Sequence, residues 1–455
     1  MPHVATNPST GQVLSTHAEM TAAELRAAIA AAHKAHLAWR KLPVVSRTEP
    51  LRATARLLRE RVGEYAELMA REMGKPLAQG RAEVEKCAWM CEYYAEHAAG
   101  FLAPEVVATD ASRSYVAYRP IGLVLAIMPW NFPFWQVLRF AMPALVGGNG
   151  ALLKHAPTVP GCALALERLL RDAGFPEGLF RTLLISVSQV KSVIRHRHVA
   201  AVSLTGSTAA GKAVAREAGS RLKKCVLELG GSDPYVVLED ADLDMAVEAC
   251  ATSRLINSGQ SCIAAKRFLV VEPLRAEVTH RLVELLQRVS VGDPIAPGTE
   301  VGPLARADLR DRLHDQVQRS VAAGARVLLG GALPAGPGFF YPVTVLADVA
   351  KGMPAYAEEL FGPVAAIIPV RDGRAALKVA NDTTYGLGAA VFTEDLERGE
   401  RIAADELEAG SCFVNAFVRS DPRLPFGGTR ESGYGRELGR HGLLEFQNAK
   451  TVYIR

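Results

Sequence analysis

The sequence has few cysteines, little net charge of either sign and no long apolar run. Only 7 of its 455 residues are Cys. This small, odd number argues against the disulfide framework of a secreted protein and favours a reducing compartment. Lys+Arg 52 against Asp+Glu 48 gives a net charge of +4, too weak to indicate nucleic-acid or membrane-surface binding. The 49% hydrophobic and 22% charged residues exclude disorder and collagen-like repeats.

Signals for export, membrane insertion and metal binding are also missing. The N-terminal MPHVATNPSTG has neither the basic nor the apolar segment of a signal or transit peptide. The longest apolar run, residues 121–130, contains Pro129 and is far shorter than the roughly 20 residues of a membrane span. The 11 His are scattered and no CxxC occurs, so we expect no metal site. We expect a cytoplasmic protein with no membrane or nucleic-acid partner.

Apolar periodicity predicts an α/β protein with two lobes. Residues 21–100 have helical spacing, and from about Tyr115 short apolar runs alternate with amphipathic helices, which favours parallel sheets covered by helices on both faces. We expect strands at 121–129, 151–155, 199–206 and 223–231, with helices at 134–145, 160–174 and 207–219. A second alternating set spans 241–393. Residues 112–120 and 446–455 are expected to be edge strands that pair with each other or with another subunit.

Two residues are candidates for covalent and acid–base chemistry. Cys262 lies in NSGQSC, a Gly/Ser turn that leaves a thiol accessible, whereas the usual role of a lone Cys is packing. Glu228 ends the apolar run VLELGG, where burial raises the pKa of a carboxyl group toward the range of a general base. The alternative is that Glu228 points into solvent at the end of its strand.

Two further motifs are candidates for oxyanion and phosphate binding. In PWNFP (129–133) two prolines hold the amide of Asn131, which can stabilise an oxyanion or simply form a turn. Lys154 ends an apolar strand, and TGSTAAG (205–211) joins a strand to a helix. A helix N-terminus after a parallel strand is a natural phosphate site, although many tight turns have the same composition.

Together these motifs resemble the NAD(P)-dependent aldehyde dehydrogenase superfamily. PWNFP, GSTAAG, LELGG, GQSC, EELFGPV (358–364) and PFGGTRESGYGRE (425–437) occur in the family's order, and the resemblance covers essentially the whole chain. It implies two Rossmann-like parallel-sheet domains, one for the cofactor and one catalytic, and a small β bridging element for oligomerisation. The implied limits are 1–102 with 122–228, then 229–435, and 103–121 with 436–455. A homodimer or homotetramer is implied, without a choice between them.

The resemblance also implies a role for each matching residue. Cys262 matches the nucleophile, Glu228 the general base and Asn131 the oxyanion-hole amide. The residues that match the cofactor site are Trp130, Lys154, Gly206, Ser207, Leu229, Glu359 and Phe361. The implied reaction oxidises a small aldehyde to a carboxylate through a thiohemiacetal and a thioester.

The position three residues after Lys154 bears on the cofactor. Many NAD-preferring members of the family carry a Glu there, which binds the adenosine ribose hydroxyls, whereas this chain has Pro157. Proline does not repel a 2′-phosphate, and Lys154 can pair with it. The resemblance therefore implies that NADP is accepted, and NAD stays an alternative.

Three residues bear on the substrate. Arg139, eight residues after Asn131, resembles the arginine that binds the distal carboxylate in the succinate-semialdehyde dehydrogenase branch of the family. Ser420 matches that branch's second carboxylate contact, and Trp135 is expected to form a wall of the tunnel. Alternatively, Arg139 faces solvent or an acidic neighbour. The alternative functions are oxidation of glutarate semialdehyde or of a neutral or aromatic aldehyde, a CoA-acylating reaction, and a non-catalytic member of the fold.

Overall fold

The computed structural model describes residues 2–455, and four helices precede the first large sheet, as the apolar spacing predicts. The helices are α1 Ala22–Trp39, α2 Val44–Glu60, α3 Val62–Met73, α4 Leu77–Phe101, α5 Trp135–Val146, α6 Pro160–Asp172, α7 Val187–Arg195, α8 Thr208–Gly219, α9 Leu243–Leu255, α10 Arg275–Leu286, α11 Ala307–Ala322, α12 Pro354–Ala357, α13 Gly373–Asn381, α14 Leu396–Arg401 and α15 Gly439–Leu444.

Strands and helices alternate from residue 113 onward, as the sequence predicts. The strands are β1 His3–Thr6, β2 Val13–His17, β3 Glu105–Val106, β4 Arg113–Pro120, β5 Leu123–Met128, β6 Gly150–His155, β7 Phe180–Thr182, β8 Val199–Thr205, β9 Lys224–Glu228, β10 Pro234–Val237, β11 Arg267–Val271, β12 Arg326–Leu329, β13 Thr344–Ala347, β14 Val364–Val370, β15 Gly388–Phe392, β16 Ser411–Val414, β17 Gly433–Tyr434 and β18 Gln447–Ile454.

The first large sheet has six strands in the order β17-β9-β8-β5-β6-β7. All neighbours are parallel except β17, which runs antiparallel to β9. Strand β6 is buried along its whole length, because helices cover both faces of the sheet. Helices α1, α7 and α8 pack on one face, and α5 and α6 pack on the other with α2 to α4 behind them. Continuous burial explains why these strands are nearly all apolar.

The order of strands in this sheet creates a binding crevice. The chain moves outward from β5 through β6 to β7, and then returns to the other side of β5 with β8 and β9. At such a reversal the loops after the two central strands diverge, and ligands bind beyond their carboxyl ends. The loops that diverge here follow Met128 of β5 and Thr205 of β8.

The second large sheet has seven strands in the order β12-β13-β14-β11-β10-β15-β16. Only β12 is antiparallel to its neighbour, and two apolar clusters fill the space between the sheet and its helices. The predicted α/β class with two parallel sheets is confirmed. The sequence analysis missed β7, β10, β13 and β16, because runs of three or four apolar residues are too short to separate from turns.

The predicted edge strands pair with each other. β18 runs antiparallel to β4, with Val452 opposite Tyr115, and β3 adds a third strand. The predicted domain limits stay a prediction, and contacts cross them, such as the pairing of Gly433 of β17 with Glu228 of β9. Within residues 2–455, no helix is both long and apolar enough to cross a membrane.

Buried carboxylates occupy the N-termini of α5 and α6. Glu83 of α4 accepts hydrogen bonds from the backbone N–H groups of Phe134 and Trp135, and its other oxygen pairs with the buried Lys75. Glu72 of α3 accepts from the N–H groups that begin α6. These carboxylates fill places that would otherwise attract an anion. The N-terminus of α8 has only its own capping residue, Ser207, which is exposed.

Candidate active site

The loop that carries Cys262 has a tightly constrained backbone. It follows α9, and Asn257 and Ser258 have φ of 55° and 56°, a region that non-glycine residues seldom adopt. Gly259 has φ of 75°, and a Cβ added to it would collide with the backbone of Gly362. Glycine is therefore required in NSGQSC both for the turn and for close packing against EELFGPV.

The side chain of Lys266 holds the same loop through hydrogen bonds to its backbone. Its ammonium donates to three backbone carbonyls, those of Ser261 at 3.0 Å, Cys262 at 2.6 Å and Ala264 at 3.2 Å, and its side chain is 1% exposed. The sequence analysis missed Lys266, although the argument that singled out Lys154 applies equally to it. A lysine beside an apolar strand needs buried acceptors.

The Cys262 thiol opens into a cavity of about 710 Å³. The side chain is half-buried, and burial raises the pKa of the thiol to about 12, against the opposing effect of Lys266. A thiol with this pKa is almost fully protonated at neutral pH, so a nearby base or the incoming ligands must favour the thiolate.

Asn131 is joined by hydrogen bonds to the loop that carries Cys262. Its side-chain Nδ2 donates to the backbone carbonyl of Gln260 at 3.0 Å, and the backbone carbonyl of Asn131 accepts from Asn257 Nδ2 at 2.7 Å. A carboxamide nitrogen carries two N–H groups, so one N–H of Asn131 remains for another acceptor, and its role at an oxyanion stays a prediction. The sequence analysis singled out Asn131 but missed Asn257, whose only signal is the Asn of NSGQSC.

Glu228 ends β9 and is 2% exposed. Neither of its carboxyl oxygens has a hydrogen-bond partner within residues 2–455. There is no room for a side chain at Gly427, where an added Cβ would lie 2.8 Å from Glu228 Oε1. Burial, and then the nearby Glu437, raise the pKa of Glu228 well above its usual value, while Arg139 opposes the rise. Burial thus disfavours the charged form of the Glu228 carboxyl group, and the side chain does not line the cavity.

Arg139 lines the cavity, as expected, but its charge has a partner. Its guanidinium pairs with Glu437, and both side chains are buried, with 5% and 4% exposed. The guanidinium also lies 4.9 Å from the centre of the Phe426 ring. Arg139 therefore has the acidic neighbour that the alternative named, and its role in binding substrate stays a prediction. The sequence analysis missed Glu437, which the Glu of GRELG could have signalled.

Trp135 and Ser420 line the same cavity as Cys262 and Arg139, and both are buried. A residue that the sequence analysis missed, Lys86 of α4, lies between them. Its Nζ donates to Ser420 Oγ at 2.8 Å and lies 4.4 Å from the centre of the Trp135 ring. The structure thus brings all three predicted substrate residues to one cavity and adds a cation to them.

The predicted cofactor residues lie at one edge of the six-stranded sheet. Trp130, Lys154, Ser207 and Leu229 are at or just beyond the carboxyl ends of β5, β6, β8 and β9, which are adjacent parallel strands. Lys154 is 6% exposed and has no ion-pair partner within residues 2–455. Burial lowers its pKa. A buried, unpaired ammonium fits a phosphate ligand.

Glu359 and Phe361 reach this edge from the other sheet. Glu359 Oε1 accepts from the N–H of Gly231 at 3.1 Å and lies 3.6 Å from Lys266 Nζ, and burial raises the pKa of its carboxyl group. The Phe361 ring meets the Trp130 ring edge-on at 5.9 Å. Hence EELFGPV contacts both LELGG and PWNFP.

These residues fit a dinucleotide. Gly206 and the exposed N-terminus of α8 provide a free helix end for a pyrophosphate, Lys154 provides an unpaired cation, and Glu359 provides acceptors for ribose hydroxyls. Pro157, which follows β6, is exposed. Because proline is uncharged, this position adds no negative charge. The individual cofactor roles stay predictions.

Comparisons with known proteins agree with this arrangement. The aldehyde dehydrogenase family profile matches residues 3–452. The chain is 48% identical to a Synechocystis protein named probable succinate-semialdehyde dehydrogenase (NADP(+)), over 98% of each chain. It is 46% identical to the succinate semialdehyde dehydrogenase (NAD(P)+) Sad of Escherichia coli, over 99% of this chain and 97% of that one.

Solved structures extend the agreement to three dimensions. The succinic semialdehyde dehydrogenase of Streptococcus pyogenes, solved in complex with NADP+, superposes with a TM-score of 0.97 at 38% identity and covers 99% of both chains. The match of profile, sequence and fold covers nearly the whole molecule. The chain belongs to the aldehyde dehydrogenase family.

Proposed function

We propose that this protein oxidises succinate semialdehyde to succinate with NADP, and accepts NAD less well. The observation that supports the proposal is one cavity lined by Cys262, Arg139 and Ser420. An aldehyde held at the thiol, with a distal carboxylate at the cationic wall, satisfies both ends of a short semialdehyde. The relatives at 46–48% identity carry names of this activity.

In the proposed reaction, Cys262 attacks the aldehyde carbon and loses its proton, which forms a thiohemiacetal. The second N–H of Asn131 Nδ2 stabilises the oxyanion, and loss of such a donor typically lowers the rate by ~10²–10³. A nicotinamide dinucleotide held by Lys154, Glu359 and the N-terminus of α8 would supply the acceptor for the hydride of the former aldehyde carbon. The Cys262 side chain then holds a thioester.

Glu228 is proposed to take the proton from the water that hydrolyses the thioester. The products are the carboxylate, the free thiol and two protons per hydride transferred. Because no hydrogen bond holds the Glu228 oxygens, the side chain is free to turn from Gly427 toward the cavity. Its raised pKa suits a group that must accept a proton near neutral pH. A base that directs water makes release by CoA unnecessary.

NADP is proposed as the preferred cofactor because the cationic Lys154 is unpaired and Pro157 adds no negative charge beside it. A carboxylate at position 157 would instead accept from a ribose hydroxyl and repel a 2′-phosphate. The 7 free cysteines support the proposed reducing, cytoplasmic location.

We further propose that the protein is a homodimer or homotetramer joined through the three-stranded sheet of β3, β4 and β18. Its two outer strands have free edges and exposed apolar side chains, with Val106 77% and Tyr453 51% exposed, and such edges favour pairing between chains. Sedimentation velocity of the whole chain is expected to show a multimer, and a single-chain species would contradict the proposal.

The substrate proposal predicts a preference that steady-state kinetics can measure. With saturating NADP, kcat/KM for succinate semialdehyde should exceed that for butanal by about 10- to 100-fold, the worth of one charged hydrogen bond. Butanal has the same chain length and no carboxylate, so it is the matched control. Equal values would reject the carboxylate site, and a higher value for glutarate semialdehyde would reject the chain length.

The cofactor proposal predicts the effect of a charge at position 157. Pro157→Glu should lower kcat/KM for NADP by about tenfold or more, which is ~1.4 kcal/mol, and should lower that for NAD much less. Pro157→Gln removes the ring without adding charge and is the control. If both variants lose NADP activity equally, the charge argument is wrong.

The raised pKa of Cys262 predicts how its alkylation depends on pH. In the free enzyme, iodoacetamide should modify Cys262 about tenfold faster per pH unit between about pH 6 and pH 10, because the thiolate stays a minor species throughout. Mass spectrometry locates the label, and Cys262→Ala gives the background from the other cysteines. A plateau below about pH 9 would show that the thiol ionises more readily than its burial indicates.

A further inference from the structure

One face of α4 forms a wall of the cavity that holds Cys262. The residues of this helix that line the cavity recur at helical spacing: Ala78, Gln79, Ala82, Glu83 and Lys86. Lys86 is the last of them, and it lies on the side where Arg139 and Ser420 also meet the cavity. Through this stripe, α4, which precedes both large sheets in the chain, contributes the basic side chain of Lys86 to the cavity.

The charges around the cavity are unequally compensated. Arg139 is paired with Glu437, and Arg288 is paired with Glu284. Glu83 is used by Lys75 and by two backbone N–H groups. Within residues 2–455, no carboxylate lies within 4.0 Å of the Lys86 ammonium. The partners that the Lys86 ammonium does contact, the Ser420 hydroxyl and the Trp135 ring, are neutral.

Those neutral partners orient the ammonium. It donates to Ser420 Oγ at 2.8 Å and sits over the Trp135 ring at 4.4 Å. An ammonium has three N–H groups, so this arrangement leaves donors for a ligand. A half-buried cation without an anion gains from an anionic ligand, because part of the cost of its desolvation is already met in the free protein.

We propose that Lys86 is a specificity-determining residue that binds the distal carboxylate of the substrate together with Ser420. The inference rests on the proposed function and deepens it. Arg139, whose charge Glu437 already balances, then has the lesser electrostatic share and shapes the end of the site. The ligand class is a short aldehyde with a terminal carboxylate.

Substitution of Lys86 tests the proposal through a ratio of two substrates. Lys86→Met keeps the length of the side chain and removes the charge. It should lower kcat/KM for succinate semialdehyde by about 10- to 100-fold, mainly through KM, and change that for butanal by less than about threefold. Lys86→Arg should restore most of the preference.

Arg419 supplies a matched control. It lines the same cavity next to Ser420 but is exposed to solvent, so water screens its charge. Arg419→Met should therefore change the ratio of the two kcat/KM values by less than about threefold. A loss in this variant equal to that in Lys86→Met would assign the preference to the general positive potential of the cavity and overturn the proposal.

The two proposals fail in different ways. If the wild-type enzyme does not prefer the semialdehyde to butanal, both are wrong. If the wild type prefers it and Lys86→Met keeps the same ratio, the proposed function stands and Lys86 only supports Ser420. A fall in both substrates by the same factor, with a lowered melting temperature, would likewise show a structural role.

The wild-type enzyme offers a second measurement that needs no variant. Burial, and then Arg139, lower the pKa of Lys86 to about 8, so the ammonium is charged below this pH and neutral above it. The other groups that act on it are Cys87 and Glu83 of its own helix and Asp421 of the loop after β16.

The ratio of the two kcat/KM values isolates this titration, because both substrates use the same thiol and base. The ratio should be highest below about pH 7 and fall through about pH 8 toward the value of Lys86→Met. In Lys86→Arg it should stay constant over the same range, because a guanidinium keeps its charge. A constant ratio in the wild type would overturn the role of Lys86.

Discussion

The close approach of the Gly259 backbone to Gly362 is the constraint on which the rest of the site depends. This contact holds the loop that carries Cys262, which follows α9, against the segment between α12 and β14. Since Gly259 has no side chain, its backbone can touch that of Gly362. This packing stabilises the unusual dihedral angles of Asn257 and Ser258. Lys266 then fixes the loop from below through three carbonyls.

Burial governs the electrostatics of the site. It raises the pKa of Cys262, Glu228 and Glu359, and it lowers that of Lys154 and Lys86. Burial thus opposes the charged form of the acidic and the basic groups alike, so an anionic ligand that pairs with either lysine would favour its charged form. The carboxylates of Glu83 and Glu72 occupy the N-termini of α5 and α6 and so keep other anions away from those helix ends. The N-terminus of α8 stays free for an anion.

The residues that sequence analysis found and those that it missed differ in kind. Cys262, Asn131 and Glu228 stand in short motifs with glycine or proline around them, so local sequence marks them. Lys266 binds carbonyls 2 to 5 positions away, but Asn257, Glu437 and Lys86 gain their importance from partners 126 to 334 positions away in the chain. Nothing beside Lys86 in the sequence sets it apart from a surface lysine of an amphipathic helix. The predicted strand at 223–231 was also too long, because Gly230 and Gly231 leave β9 where Gly231 binds Glu359.

The sequence by itself determined the α/β class, most strands of the six-stranded sheet, the existence of the edge strands β4 and β18, and the family, because apolar periodicity and ordered local motifs are encoded in neighbouring residues. Only the tertiary structure decided which charges are compensated. Arg139 stands where the motif predicts, yet its partner Glu437 comes from the far end of the chain, and Lys86, a half-buried cation without a carboxylate partner, comes from α4. Electrostatic compensation depends on distance and burial in the folded chain, and neither is a property of local sequence.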